Sequence, residues 1–399
     1  QVQGPTEHLR KLARRGTLVF VPTHLSNMDS IVFGYALERA GLPPASYGAG
    51  KNLFTNPVLS FFMHNLGAYR VDRRLKHALY KDVLKTYSCV LIERGYHSLF
   101  FPGGTRSRSG VVERRLKLGL AGTGVEAFAR TTMTGRPQRV YFVPATINYL
   151  LTLEAETLID DFLQEEGKAR YIIEDDESTR WGRVVSFMNK LAGMDASVVV
   201  RFSAPVDCFG NAVDDEGESH DSHGRRVDPE SYVLGADGRP HVDAERDAQY
   251  TRELAEVICA AYLRDTVIMS THLVAASAFP YLRAAAGETD LFALLRHRND
   301  VAMPRAQLAA NVERLRDRLL ELEHRGGVTL GRFAKTASGD VLVERALRAF
   351  AGYHGQPVLE PRGTDILLAN PRLVFYYQNR LAAHGFAFDA AAPRVSRAA

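Results

Sequence analysis

The chain has 399 residues, of which 46% are hydrophobic and 24% are charged, and its formal net charge at pH 7 is +4. These values are ordinary for a globular protein and exclude an intrinsically disordered or fibrous chain. The length suits one large domain or two medium ones. A net charge this small does not indicate nucleic-acid binding, so we expect no nucleic-acid partner.

The cysteines and the hydropathy of the chain indicate its redox environment and its relation to a membrane. Cys89, Cys208 and Cys259 are far apart and lack metal-ligand spacing, so we expect a reducing environment and no disulfide. No uncharged stretch reaches the ~20 apolar residues of a spanning helix. We therefore expect no transmembrane helix, and a protein that lies on a membrane if it meets one. The chain opens at Gln1 rather than at a methionine, which leaves room for upstream sequence.

The first half of the chain alternates strand-like and helix-like segments. Continuous apolar runs predict buried strands at residues 17–22, 68–71, 98–102, 140–147 and 197–204. Helical spacing between them predicts a helix over 30–40, which ends at Gly41, and one over 77–94, which ends at Gly95. The alternation predicts an α/β fold with a mostly parallel central sheet flanked by helices.

The composition changes at residues 211–247, which are rich in Asp, Glu, Gly and Ser and have few large apolar residues. This composition predicts a linker or a surface excursion. Amphipathic or apolar patterns after it predict helices at 250–263, 267–279, 290–297, 305–323 and 372–383. The predicted organisation is an α/β domain over 1–210, the linker or excursion, and a helical C-terminal region over 248–399.

A histidine follows the first predicted strand, and a carboxylate follows the histidine by five residues, in the stretch His24-Leu25-Ser26-Asn27-Met28-Asp29. A neutral imidazole can take a proton from an alcohol that attacks a carbonyl. A carboxylate on the other ring nitrogen fixes the tautomer and stabilises the imidazolium. Taken alone, however, the spacing is more typical of an aspartate that caps a helix beside a loop histidine.

Two later stretches, over residues 67–74 and 101–108, combine glycine with arginine. Guanidinium groups make bidentate contacts with phosphate oxygens, and glycine allows close backbone approach. The candidate anion-binding residues are Arg70, Arg73, Arg74, Gly104, Thr105, Arg106 and Arg108. A solvated basic face is the alternative for the arginines, and a strand followed by a tight turn is the alternative for the second stretch.

Together with Val143-Pro144, these stretches resemble in order and spacing the four sequence blocks of the glycerolipid acyltransferase family, whose first block is HxxxxD. The similarity is closest to the glycerol-3-phosphate and dihydroxyacetone-phosphate acyltransferase branch. Residues 49–53, 93–96 and 375–379 also resemble that branch, so the resemblance covers nearly the whole chain.

The resemblance implies direct transfer of a fatty acyl group from acyl-CoA or acyl-carrier protein, as co-substrate, to the sn-1 hydroxyl of glycerol 3-phosphate. It implies no metal and no other cofactor. His24 would deprotonate the hydroxyl and Asp29 would orient His24, while Arg73 and Arg106 would hold the acceptor phosphate. Arg70, Arg74, Arg108, Gly104 and Thr105 are further candidates for the same phosphate or for those of CoA. The family also implies a peripheral enzyme of phospholipid synthesis at the cytoplasmic face of a membrane.

The third block departs from the family pattern at Gly103, where the family carries a glutamate that helps to bind or place the acceptor. Glycine has no side chain that could hydrogen-bond a hydroxyl. Either another group substitutes, or the acceptor differs, or activity is reduced. A carboxylate beside Gly103 and directed towards His24 would restore the missing role. In a crippled enzyme, Gly103→Glu would raise turnover.

Two alternatives from other functional classes follow. The missing glutamate makes a non-catalytic membrane- or lipid-binding relative the main alternative. A serine hydrolase or a P-loop nucleotide-binding protein is disfavoured, because the chain has no GxSxG and Gly50-Lys51 lacks the flanking residues of a P-loop.

Overall fold

The computed structural model describes residues 1–54, 60–61, 65, 67–72, 75, 77–166, 197–287, 291–296, 301–351, 354–385 and 396–397. Within these residues the main sheet has 11 strands. They are β1 (Val2–Gln3), β2 (Thr17–Pro22), β3 (Ser46–Gly50), β4 (Ala68–Val71), β5 (Ser98–Leu99), β6 (Val140–Tyr149), β7 (Val198–Phe202), β8 (Val206–Asp207), β9 (Ala212–Val213), β10 (Ser219–His220) and β11 (Arg226–Val227).

The middle of the sheet is parallel. Strands β6, β2, β5, β3 and β4 lie side by side in this order with parallel pairing. Strands β7 and β8 pair antiparallel with β6, and β9, β10 and β11 continue from β8 as antiparallel strands. The predicted α/β class with a mostly parallel central sheet is confirmed.

Helices flank the sheet and form most of the C-terminal region. They are α1 (Thr6–Ala13), α2 (Asp29–Arg39), α3 (Ala78–Glu93), α4 (Leu118–Met133), α5 (Ala155–Glu166), α6 (Ala244–Asp265), α7 (Ser270–Ala286), α8 (Leu291–Arg296), α9 (Arg305–His324), α10 (Arg332–Thr336), α11 (Gly339–Phe350) and α12 (Pro371–Ala382). Among the described residues, none of the helices is both long and apolar enough to cross a bilayer.

Strand β2 shows why a continuous apolar run becomes a central strand. Its side chains alternate between two hydrophobic clusters, with Leu18 and Phe20 in one and Val19 and Val21 in the other. The first cluster contains Phe33 of α2, and the second contains Tyr262 of α6. Both faces of the strand are therefore buried under helices, which is the usual setting of a parallel strand.

The segment over 211–247 is built into the sheet. It provides strands β9, β10 and β11 at one edge, followed by a 3₁₀ helix, Pro229–Val233. Helix α6 after it packs on the sheet through Leu254, Ile258 and Tyr262. Because α6 packs on the sheet, the α/β layer extends beyond residue 248. The helical C-terminal region was predicted to begin at that residue.

The C-terminal region has its own hydrophobic cluster, in which α7, α9, α11 and α12 pack together. Its short strands are β12 (Val267–Ile268), β13 (Val301–Pro304), β14 (Thr329–Leu330), β15 (Leu359–Arg362), β16 (Asp365–Leu368) and β17 (Ser396–Arg397). Strands β15, β16, β13 and β17 form a small sheet. Helix α12 also contacts α5, which follows the parallel sheet directly, so it is held close to the carboxyl ends of the parallel strands.

Candidate active site

His24 and Asp29 form a buried pair after strand β2. His24 lies in the loop and Asp29 is the first residue of α2. The distance from His24 Nδ1 to Asp29 Oδ2 is 2.8 Å, and Asp29 is fully buried while His24 is 8% exposed. The same Oδ2 accepts hydrogen bonds from the backbone N–H groups of Leu25 and Ser26, at 2.6 and 2.9 Å. The aspartate therefore shapes the loop and also orients the imidazole, so its two predicted roles are compatible.

Tyr149, at the end of β6, completes the surroundings of the aspartate. Its hydroxyl donates to Asp29 Oδ1 at 2.6 Å. Burial, and then the charge of Asp29, raise the pKa of Tyr149 well above its usual range, so the hydroxyl stays protonated and remains a donor. The sequence did not indicate this residue, because the predicted strand ended at residue 147 and the real one continues to Tyr149.

The loop of the third block and the segment after it hold His24 from the other side. The ring of Phe101 stacks on the imidazole, with centroids 4.2 Å apart and an angle of 24° between the planes. The backbone N–H of His24 donates to Glu113 Oε1 at 2.9 Å, and its carbonyl oxygen accepts from the N–H of Ser107 at 2.8 Å. The first and third blocks therefore form one unit around His24.

Glu154 links the first block to the arginine of the third. Its carboxylate is fully buried and accepts from Ser26 Oγ at 2.7 Å and from the Asn27 N–H at 2.9 Å. Arg106 Nη1 lies 3.5 Å from Glu154 Oε1. The guanidinium of Arg106 is thereby positioned next to the loop that carries His24. Sequence reasoning missed Glu154, which lies beyond the fourth block and contacts these residues only through the fold.

The other predicted anion-binding residues are less closely tied to the pair. Arg108 forms an ion pair with Glu165 of α5, and the guanidinium of Arg70 lies 5.1 Å from the ring centroid of Phe54. Thr105 is exposed, and Gly104 has φ of 75° and packs under the side chain of Lys117. Arg73 and Arg74 lie outside the described residues.

Helix α12 supports the third-block loop. Asn379 Nδ2 donates to the carbonyl oxygen of Ser109 at 2.9 Å. Gly110 has φ of 78°, and a Cβ atom at this position would lie 2.2 Å from the carbonyl oxygen of Tyr376. The loop can therefore approach the helix only with a glycine at position 110. The C-terminal region thus helps to fix the site that the α/β sheet carries.

We expect Gly110→Ala to destabilise the protein by more than the ~1–2 kcal/mol that a left-handed residue costs by itself, because the added methyl also meets backbone. Gly135→Ala is the matched control: Gly135 has φ of 70° but no atom within 4 Å of an added Cβ. Denaturant unfolding measures both free energies. Equal losses in the two variants would show that contact with α12 does not constrain the loop.

Comparisons with known proteins agree with this geometry. Residues 5–148 match the family model described as Acyltransferase. The glycerol-3-phosphate acyltransferase of Xanthomonas axonopodis pv. citri is 30% identical over 50% of this chain and 21% of its own length. The glycerol-3-phosphate acyltransferase of Histophilus somni is 32% identical over 50% of this chain and 23% of its own length. That of Pseudomonas syringae pv. syringae is 27% identical over 63% of this chain and 28% of its own length. These matches span 21–28% of the relatives' own lengths.

A solved structure, the 1-acyl-sn-glycerophosphate (LPA) acyltransferase PlsC from Thermotoga maritima, also matches. It is 15% identical, with a TM-score of 0.29 over 64% of this chain and 69% of that one.

The sheet, the histidine–aspartate pair and the family model indicate an acyltransferase domain over residues 5–148. The curated relatives to which the chain is similar are glycerol-3-phosphate acyltransferases.

Proposed function

We propose that this chain is a glycerol-3-phosphate 1-O-acyltransferase, which moves a fatty acyl group from acyl-CoA or acyl-carrier protein to the sn-1 hydroxyl and forms lysophosphatidic acid. The observation that carries the proposal is the buried contact of 2.8 Å between His24 Nδ1 and Asp29 Oδ2. With Nδ1–H directed at the carboxylate, Nε2 is left as the proton acceptor.

The proposed reaction is one direct transfer. His24 Nε2 takes the proton of the sn-1 hydroxyl as the oxygen attacks the thioester carbonyl carbon. The tetrahedral intermediate then collapses, the C–S bond breaks, and the imidazolium gives the proton to the leaving sulfur, which departs as the thiol. Asp29 stabilises the imidazolium between these two steps, and its own charge is held by the N–H groups of Leu25 and Ser26 and by the Tyr149 hydroxyl.

In this proposal the acceptor phosphate is held by Arg106 together with Arg73. The contact of Arg106 with Glu154 favours this role, because it fixes a guanidinium beside the loop of His24. Arg108, Arg70, Arg74, Gly104 and Thr105 remain candidates for the same phosphate or for those of CoA. The ion pair between Arg108 and Glu165 is partly exposed, so a phosphate can displace the glutamate at little cost.

The proposed setting is the cytoplasmic face of a membrane, with the protein bound at the surface. An apolar stripe on α3 supports it: Leu79, Val83 and Tyr87 follow one another at helical spacing and are 47–76% exposed. Such a stripe can insert between lipid headgroups.

We expect the double variant Leu79→Ser/Val83→Ser to bind anionic liposomes at least tenfold less tightly in cosedimentation. The reason is that each exposed side chain that leaves water contributes ~1–2 kcal/mol. Val341→Ser, at an exposed apolar position on α11, is the control. If the double variant and the control bind equally, α3 is not the membrane contact.

The experiment that tests the proposed function supplies the purified chain with glycerol 3-phosphate and either palmitoyl-CoA or palmitoyl-acyl-carrier protein. Thiol release and lysophosphatidic acid are both measured. Product from one donor supports the proposal and identifies the donor. If neither donor gives product while liposome binding persists, a lipid-binding relative is the better description. The same assay with dihydroxyacetone phosphate tests the acceptor.

A further inference from the structure

A different carboxylate, that of Glu113, lies beside Gly103, where the family carries a glutamate. A Cβ atom added to Gly103 would lie 3.3 Å from Glu113 Cγ and 3.5 Å from Glu113 Oε1. Glu113 is ten residues further along the chain, in the loop that leads into α4. It belongs to none of the four blocks, so the sequence pattern did not indicate it. Only the fold places it beside the glycine.

The carboxylate of Glu113 is directed towards His24. Its Oε1 accepts the backbone N–H of His24 at 2.9 Å, while Ser107 holds the carbonyl oxygen of the same residue at 2.8 Å. Both polar backbone groups of His24 are thereby fixed by the third-block loop and the segment after it. The imidazole is then fixed at its ring by Asp29 and Phe101.

The other oxygen of Glu113 is in an unusual position. Oε2 is buried and has no hydrogen-bond partner among the described residues. Burial raises the pKa of Glu113, while the His24 N–H and the buried guanidinium of Arg380 act in the opposite direction.

We propose that Glu113 is a positioning residue of the acyl-transfer site, which fills the place opposite Gly103 and sets the position of His24 through its backbone N–H. The inference rests on the proposed function, because positioning has a purpose only if His24 transfers a proton. It also explains why a third block with glycine is compatible with an active enzyme.

A shift of His24 after loss of Glu113 alters the approach of Nε2 to the acceptor hydroxyl. We expect Glu113→Ala to lower kcat by about 10²-fold with little change in either KM, because small displacements of catalytic groups have effects of this size. Glu113→Gln keeps an oxygen that accepts the His24 N–H and is expected to retain kcat within about tenfold of wild type. Arg115→Ala, two residues away and exposed, is the control for disturbance of the loop.

The decisive variants move the carboxylate from position 113 to position 103. Gly103→Glu alone is expected to lower kcat, because its Cβ and carboxylate crowd Glu113. In Gly103→Glu/Glu113→Ala the new side chain enters the space that Glu113 has left, and we expect at least tenfold recovery over Glu113→Ala. A purely structural role for Glu113 predicts no such recovery in kcat.

Amide hydrogen exchange of the peptide over residues 23–29 gives a readout without turnover. Exchange at His24 is expected to be faster in Glu113→Ala than in wild type and unchanged in Glu113→Gln. If wild type is inactive, the proposed function fails and this exchange alone decides the role of Glu113. If wild type is active and Glu113→Ala keeps both its kcat and its exchange protection, the positioning role is wrong while the proposed function stands.

Discussion

His24→Ala is expected to lower kcat for acyl transfer by about 10²–10⁴-fold, the usual contribution of a well-placed general base. The fold should survive the change. His24 lies in a loop rather than in a helix or strand, and Asp29 keeps three hydrogen-bond donors, from Leu25, Ser26 and Tyr149, after the imidazole is removed. The loss should therefore appear in kcat while the thermal midpoint changes little.

The measurement is thiol release from the acyl donor at saturating glycerol 3-phosphate, with circular dichroism melts of the same samples. His324→Ala, at an exposed position at the end of α9, controls for loss of a histidine. Equal product from His24→Ala and wild type would refute the base mechanism. Wild-type kcat combined with a raised KM would instead assign His24 to substrate binding.

The parts of the fold that the sequence predicted well have local signals. Strand β2 is a continuous apolar run and appears at residues 17–22, and α3 has helical spacing and appears within one residue of its predicted ends. Strand β3 was missed, because its sequence, Ser46–Gly50, has two glycines and no β-branched residue. It is stabilised by pairing with β4 and β5, which sequence spacing does not reveal.

The segment over 211–247 illustrates the same limit. Its polar composition predicted a linker or a surface excursion, and its short strands hold few apolar side chains because they lie at the edge of the sheet. Asp214 and Asp221 accept backbone N–H groups in successive turns. The acidic residues that suggested a linker are therefore the residues that shape the hairpins.

The candidate site divides in the same way. The HxxxxD spacing could be recognised because both members of the pair lie within six consecutive residues. Tyr149, Glu154 and Glu113 come from distant segments and meet the loop only after folding, so a pattern of fixed spacing could not find them. The sequence indicated that Gly103 stands where the family carries a glutamate. Only the folded structure shows which carboxylate lies beside this glycine.

Asp29→Asn should lower kcat about 10²-fold while the orientation of His24 is kept. The amide oxygen can replace Oδ2 as the acceptor for His24 Nδ1–H and for the N–H groups of Leu25 and Ser26. The amide NH₂ then faces Tyr149, whose hydroxyl oxygen can accept in place of donating. The shape of the loop is conserved and the negative charge is lost, so the variant isolates the electrostatic stabilisation of the imidazolium.

Tyr149→Phe provides the comparison, because it removes one neutral hydrogen-bond donor from the same carboxylate and leaves the charge in place. We expect it to cost ~1–3 kcal/mol of stability and to lower kcat by tenfold or less. The two variants are compared by kcat and by denaturant unfolding. If Asp29→Asn retains wild-type kcat, the carboxylate serves only to cap the loop, and His24 acts without a charged partner. If both variants lose kcat equally, the geometry of the carboxylate matters more than its charge.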